Sequence, residues 1–448
     1  MSTNLREPAT PVLSSRRLEE PVEASATTPP APKPARLVSL DAYRGFIMFI
    51  LAAEGFGIYK VARNINHIFP FFEKLGGFFT STAGVLNGLP FLSYQPGKSA
   101  FWDVVGYQFD HTEWTGCSFW DLIQPSFMFM VGVAMPYSYA SRRAKGDSDA
   151  KLTVHAVYRA VVLVFLGIFL MSNGQARTDW TFVNVLTQIG LGYVFVYLLL
   201  DRGWRVQLVA LTGILVGYWL FFALWPLPGS GFDYATVGVP ATWEHFTGLF
   251  AHWDKNTNAA AAFDDRFLNL FRRPGDEFHF NEGGYQTLNF IPSMATMIFG
   301  LMAGEMLRSQ TRPWQKFLWL VLAGVGCLAL GWVLDQTVCP SVKRIWTPSW
   351  AVYSSGWTFL MLAGFFAVID LAGFKRWAFP RVVVGMNSIA VYCMGMTLKG
   401  WIRGRLQAHV GGHIFDGIYG PMVQSVAVAL VIWLVCLWMY RRKVFLRV

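Results

Sequence analysis

From Leu37 onward the chain is cut into ten apolar stretches of about 17 to 23 residues, the length at which a helix rising about 1.5 Å per residue crosses roughly 30 Å of hydrocarbon. They run over 37–59, 119–140, 154–171, 183–200 and 206–225, then 288–307, 317–334, 350–371, 382–398 and 422–440. The pattern predicts an all-α fold, a polytopic membrane helix bundle of about ten transmembrane helices with two long external loops, 59–118 and 226–287. Gly, Pro and polar residues interrupt several stretches, which spanning helices tolerate where neighbours satisfy the freed backbone groups. The bilayer is therefore the first partner expected. Only 14% of the residues are charged, against about 25% in soluble domains, and the deficit is filled by 38 Phe, 19 Trp and 16 Tyr. That composition excludes an ordinary soluble enzyme and, for most of the chain, intrinsic disorder.

The net charge of +10 would suit nucleic acid only if Lys and Arg gathered on one face. They occur instead as short clusters between apolar runs, so no nucleic-acid partner is expected and the clusters are read as topology signals. Arg36 and Arg44, then Arg142, Arg143, Lys145 and Lys151, then Arg202 and Arg205 fall on one side. Arg308, Arg312 and Lys316, then Lys375, Arg376 and Arg381, then Arg441, Arg442, Lys443 and Arg447 continue it. Both termini are accordingly expected in the cytoplasm. Residues 1–35 are rich in Pro, Ala, Ser, Thr and Glu without an apolar block, and are expected to form a disordered cytoplasmic tail with no cleaved signal. Residues 36–448 form the membrane domain.

Five cysteines show no C-x-x-C and no zinc spacing. Cys327, Cys393 and Cys436 lie in apolar runs, where a thiol acts as a small hydrophobe. Cys117 and Cys339 fall on the external side, where a disulfide is open but nothing in the sequence favours it. The second loop contains His245, His252, Asp264, Asp265, His279 and Glu282. Their spacing matches no established ligand pattern, and the loop reads as a hydrated external cap without a metal.

Ionisable residues near or within spans are costly in hydrocarbon, so each is a candidate for function or for a paired structural role. Asp41 and Arg44, three apart at the opening of the first span, share a helix face. They form either an interfacial ion pair or, through Arg44, an anion site. Glu54, near the external end of that span, is a lone carboxylate that either faces a wet cavity suited to acid/base work or snorkels to the interface. The densest polar segment runs from Asp110 to Pro125 and holds His111, Glu113, Trp114, Trp120 and Asp121 at the external mouth of the second span. Histidine is the side chain that exchanges a proton near neutral pH. Asp121 or Glu113 can hold its tautomer, as the third member of a nucleophile, base and orienter set does. The plainer alternative is interfacial decoration of a loop by His and Trp.

Several blocks resemble the heparan-alpha-glucosaminide N-acetyltransferase family and its bacterial relatives. Ser39-Leu40-Asp41-Ala42-Tyr43-Arg44-Gly45 is similar to the family's opening block. His111-Thr112-Glu113-Trp114-Thr115-Gly116, with Asp121-Leu122-Ile123-Gln124-Pro125-Ser126-Phe127-Met128-Phe129 and Gly132, is similar to its active-site block. Val185 to Gly190, Ile291-Pro292-Ser293 with Gly300 and Gly304, Trp346 to Trp350 and Gly385 to Ile389 follow in family order. The resemblance covers nearly all of the stretch from Arg36 to about Trp401.

The resemblance implies a multi-pass acyltransferase in which His111 is the active-site residue on the external side and acetyl-CoA, the co-substrate, arrives from the cytoplasm. The acceptor is then a small molecule or glycan bearing an amine or hydroxyl. Arg44 would meet the CoA phosphates, while Gln188, Asn289 and Asn387 would line the pantetheine path or else bond neighbouring helices. Glu54 and Trp114 are the candidate acceptor-binding residues. Relative to animal members, the first loop is longer and Glu54-Gly55 stands where they carry an Asn. A bacterial-type member of the inner membrane, acting on a cell-envelope glycan and open to homodimer formation, is expected. The competing reading is a membrane transporter or export-complex subunit without chemistry of its own. A third is another membrane acyltransferase family with an Asp-x-x-Arg-Gly opening, but the His expected in its first helix is absent from 37–59.

Overall fold

The computed structural model describes residues 37–64, 100–272, 275 and 277–446. The expected tail, Arg36, most of the first long loop and Arg447 lie outside them. Among the described residues, six helices are long and apolar enough to cross a membrane, or eight if each of two bent pairs is one span.

The first bent pair joins α1 (Val38–Ala52) to α2 (Ile58–Asn64) at 48°. The bend is a run of four left-handed residues, Glu54 at φ 46°, Gly55 at 59°, Phe56 at 58° and Gly57 at 67°, two of them the residue type that enters this region without penalty. After α3 (Ala100–Gln108), α4 (Ile123–Arg143) runs for 21 residues. It is long enough to span, yet its Gln, Ser and Tyr content keeps it outside the apolar group. Then come α5 (Asp149–Met171), α6 (Val185–Leu198) and α7 (Trp204–Ala223). With 14 residues, α6 covers only about 21 Å at 1.5 Å per residue. Ten expected stretches thus map onto helices, but two of them, on α4 and α6, do not meet the length-and-apolarity measure.

The second long loop is more ordered than its composition predicts. It carries a short helix α8 (Ala259–Phe267), capped by Asn258, whose side-chain oxygen accepts from the amides of Ala260 and Ala261 at 3.1 Å. Trp253 is fully buried and stacks on Phe222 of α7 at 6.2 Å, so this cap is folded onto the bundle by aromatic burial. His245 bonds Asp254 at 3.0 Å, His252 bonds the Trp225 carbonyl at 2.9 Å, and Asp264 accepts from the Thr287 amide at 2.8 Å.

The remaining helices are α9 (Phe290–Arg308), α10 (Pro313–Thr337), α11 (Pro348–Phe366), α12 (Phe379–Gly385), α13 (Ser388–Thr397), α14 (Lys399–Val410) and α15 (Gly420–Arg441). The second bent pair joins the α12 segment to α13 at 65°. Spanning windows over α9 and α10 are 67% and 17% buried in protein, so α9 is central and α10 peripheral. The close crossings are made at glycines. A Cβ on Gly132 of α4 would lie 2.0 Å from the Met297 carbonyl oxygen, and one on Gly300 of α9 would lie 2.0 Å from that of Phe129. Gly45 and Gly385 do the same for α1 against α12, with Cβ positions 1.7 Å from the Arg381 oxygen and 2.0 Å from the Asp41 oxygen. All five cysteines are free thiols, with Cys117 and Cys339 both buried, so the open disulfide is not formed.

Candidate active site

A 3-10 turn, Trp120–Leu122, precedes α4 and lies outside the spanning helices. It places Asp121 fully buried at the start of α4, and every hydrogen bond of this carboxylate serves to fix its plane. Oδ2 accepts from the Thr112 amide and hydroxyl at 3.2 and 3.1 Å and from the Ser118 amide and hydroxyl at 3.3 and 3.0 Å. Oδ1 faces His111 Nδ1 at 2.7 Å and the Lys343 ammonium at 3.0 Å. Burial pushes the Asp121 carboxyl upward, but the Lys343 ammonium and His111 outweigh it and hold it well below the usual carboxylate range. With Nδ1 given to a carboxylate, the ring presents Nε2 outward from a side chain that is 40% exposed. Of the two orienters considered from sequence, Asp121 is the one in contact. Glu113 is exposed and lies within electrostatic reach of Lys255.

Lys343 was not a sequence candidate. It comes from the turn between α10 and α11, 232 residues from His111, and is 4% exposed. The turn is pinned from several directions. The Ser341 amide donates to Asp335 at 2.6 Å, the Val342 amide to the Thr347 hydroxyl at 3.0 Å, and Tyr218 of α7 donates to the Ile345 carbonyl at 3.1 Å. The turn is stitched to the His111 loop by a β-bridge between Thr115 and Val342 and by the Gly116 amide donating to Ser341 at 3.1 Å. Arg344 donates to the Thr112 carbonyl at 3.2 Å and to Gly283 at 2.7 Å, tying loop, turn and cap together. One sequence signal points to this pair. In the orientation expected from the sequence, these two cations fall in a short segment on the side opposite the clusters that set it, against the usual distribution.

The other candidates are placed differently. Trp114 is 6% exposed, donates from Nε1 to the Trp253 carbonyl at 3.2 Å and packs edge-on against Trp243, so it is a core residue of the cap and not an open platform for an acceptor. Glu54 is not a lone carboxylate: Lys399 and Arg403 of α14 pair with it at 3.0 Å each, and Lys60 stands at 3.7 Å. Arg44 is half-buried on α1. Gln188 donates to the carbonyls of Phe182, Gln286 and Thr287, and Asn289 donates to the Arg344 carbonyl at 2.7 Å. Asn387 is used at the other end of the bundle, donating to Val444 and accepting from the Leu446 amide. All three amides bond neighbouring segments, while Gln188 Oε1 and Asn289 Oδ1 are buried without a hydrogen-bond partner.

The Glu54 cluster gives a prediction for stability. Glu54→Gln leaves Lys399 and Arg403 facing each other without a counter-charge, at a cost of about 1–2 kcal/mol, between an exposed and a buried pair. Thermal unfolding in detergent should show a lower Tm at low salt, with the gap to the parent chain narrowing as salt screens the cations. An equal Tm at both salts would mean that the cluster does not stabilise the fold.

No family model matches the chain. Among curated proteins, heparan-alpha-glucosaminide N-acetyltransferase from Homo sapiens is 26% identical over 345 residues, covering 67% of this chain and 50% of the relative. The protein of the same name from Mus musculus is 25% identical over 407 residues, covering 80% of this chain and 58% of the relative. The chain thus spans about half the length of the curated relatives it matches. Both support the resemblance carried by the sequence blocks at the level of the family.

Proposed function

We propose, from this kinship with N-acetyltransferases, that the chain is a multi-pass membrane acetyltransferase. It moves an acetyl group from acetyl-CoA on the cytoplasmic side to an amine or hydroxyl of an extracytoplasmic sugar, with both termini cytoplasmic. The observation that carries the proposal is the His111–Asp121 contact at 2.7 Å, made by a buried, fully bonded carboxylate to Nδ1 of a ring whose side chain is 40% exposed. In this reading Nε2 takes the proton of the acceptor as its nitrogen or oxygen attacks the thioester carbonyl. The C–S bond breaks, and the CoA thiolate leaves and recovers the proton from the imidazolium. Asp121 stabilises the imidazolium without taking its proton. An acetyl group carried briefly on Nε2 is the competing route, and the same orientation serves it.

A polar chain reaching His111 from the cytoplasm needs partners inside the bundle. Hydroxyls of Ser39 on α1, Tyr137 on α4, Thr296 on α9 and Ser354 on α11 are buried without a hydrogen-bond partner. Buried orphan groups of this kind are uncommon. Gln188 Oε1 and Asn289 Oδ1 are buried without a partner as well; we assign the pantetheine amides to groups of this set and keep Arg44 as the phosphate partner.

The test is sidedness. Inverted membrane vesicles should consume added acetyl-CoA when glucosamine or another amino or hydroxy sugar is trapped inside. Sealed right-side-out vesicles should do so only after permeabilisation. Equal turnover in both would overturn the transmembrane direction. Absence of thioester consumption with every sugar tried would favour a transporter or export-complex subunit.

A further inference from the structure

Two donors converge on one oxygen beside His111. Asp121 Oδ1 lies 2.7 Å from His111 Nδ1 and 3.0 Å from Lys343 Nζ, and the two nitrogens are themselves 3.0 Å apart. An ammonium only donates. The imidazole therefore either shares Oδ1 with Lys343 as a second donor, which leaves the Nε2 lone pair free whenever the ring is neutral, or accepts from Lys343 at Nδ1, leaving Nε2 protonated. The shorter contact is to the carboxylate and selects the first arrangement. A buried ammonium in contact with the pair also offsets the carboxylate's charge at the ring. Its turn is bonded to α7, to α10 and to the His111 loop, so the backbone that carries the ammonium is fixed.

We infer that Lys343 is a positioning residue for His111: it locks the Asp121 carboxylate in plane and offsets its charge, so that the neutral imidazole presents Nε2 to the external face. This rests on the acetyl-transfer reading above. The other charged or titratable groups nearby are Asp110 and Glu113 on the same loop and Arg344 beside Lys343. Tyr59 of α2 bonds Asp110, the Cys117 thiol faces Asp121, and Lys255 and Glu282 of the cap stand towards Arg344 and Glu113. Of these, Lys343 alone touches both members of the pair.

The sign of the pH effect follows from the charges. Asp121 is held low by Lys343, so its contribution is present above the unfolded carboxylate range and is lost as pH falls through its lowered value. Without Lys343 that loss begins at higher pH, and the uncompensated carboxylate favours the imidazolium. Both effects move the acid limb of His111 function upward.

The experiment uses full-length protein in proteoliposomes with acetyl-CoA and glucosamine. In parallel, carbethoxylation of the His111 peptide by diethyl pyrocarbonate is followed by mass spectrometry across pH. Lys343→Met should lower kcat about 10- to 100-fold, the loss typical when an outer partner of a working group is removed, with KM unchanged. It should also move the acid limb of both readouts upward by about one unit or more. Lys343→Arg, which keeps the charge but not the geometry, should lower kcat while leaving the limb in place. If Lys343→Met does not fold, Lys343→Gln is read in its place. An unmoved limb and parental kcat in the neutral variant overturn the inference. So does a kcat loss in that variant with an unmoved limb, which a merely structural role would give. If the parent chain transfers no acetyl, the acetyl-transfer reading fails instead, and the carbethoxylation limb still decides the role of Lys343.

Discussion

His111→Ala should reduce acetyl transfer about 10²- to 10⁴-fold, the usual worth of a positioned general base, while acetyl-CoA still binds. The expectation follows from how completely the site is arranged around one ring. Asp121 commits one oxygen to Thr112 and Ser118 and the other to His111 and Lys343, so Asp121 has no free oxygen with which to take over the proton. His111→Gln restores a polar side chain without a base and should be as slow as alanine. Binding is expected to survive because, in the proposed orientation, His111 lies at the external mouth, whereas the phosphate partner proposed for CoA, Arg44, is in the half of α1 nearer the cytoplasm. Single-turnover transfer and equilibrium binding of acetyl-CoA, measured on the same preparations, separate the two. Parental transfer by His111→Ala would remove His111 from the chemistry, and the acetyl-histidine route with it.

How much of this was legible in the sequence depends on the range of the interaction. The apolar stretches predict the bundle because hydrocarbon length is a local constraint, and His111 with Asp121 was legible because ten residues of one loop hold both. The break at 53–57 is marked only by two glycines, and nothing local shows that Glu54 enters the left-handed region and collects Lys399 and Arg403 from α14. Trp114 reads as an acceptor-binding candidate in the sequence because its partner, the Trp253 carbonyl, is 139 residues away. Lys343 had no local signature beyond its charge. The same topological logic would have found it: in the proposed orientation Lys343, Arg344, Lys399 and Arg403 all fall in short external segments, where the positive-inside rule leaves few cations. Each of them is engaged by a carboxylate, an imidazole or a carbonyl in the structure. Arg177 and Arg405 fall in short segments on the same side and are exposed, so position there marks a cation for inspection without fixing its role.

Gly300→Leu should prevent the bundle from forming, and the site with it. Membrane helices associate through close packing and not through apolar burial, since lipid tails are as apolar as leucine. The seam between α4 and α9 is built for that approach. Cβ atoms on Gly132, Gly300 and Gly304 would lie 2.0, 2.0 and 2.5 Å from carbonyl oxygens of the facing helix, where no side-chain rotation can relieve the contact. Overpacking ordinarily costs about 1–3 kcal/mol, and a clash with backbone must exceed that because the whole helix has to move. The consequence reaches the chemistry through the ends of the two helices. The turn carrying Asp121 leads directly into α4, and Asn289, immediately before α9, holds the Arg344 carbonyl next to Lys343. Separating the seam therefore pulls the carboxylate and its ammonium apart. Gly326 on the peripheral α10 supplies the contrast, because a Cβ there meets nothing within 4 Å and Gly326→Leu should leave Tm and turnover near the parent values. Size-exclusion profiles and thermal unfolding of the two variants in detergent read the difference directly. A folded, active Gly300→Leu would show that the two helices can part without loss of the His111 centre.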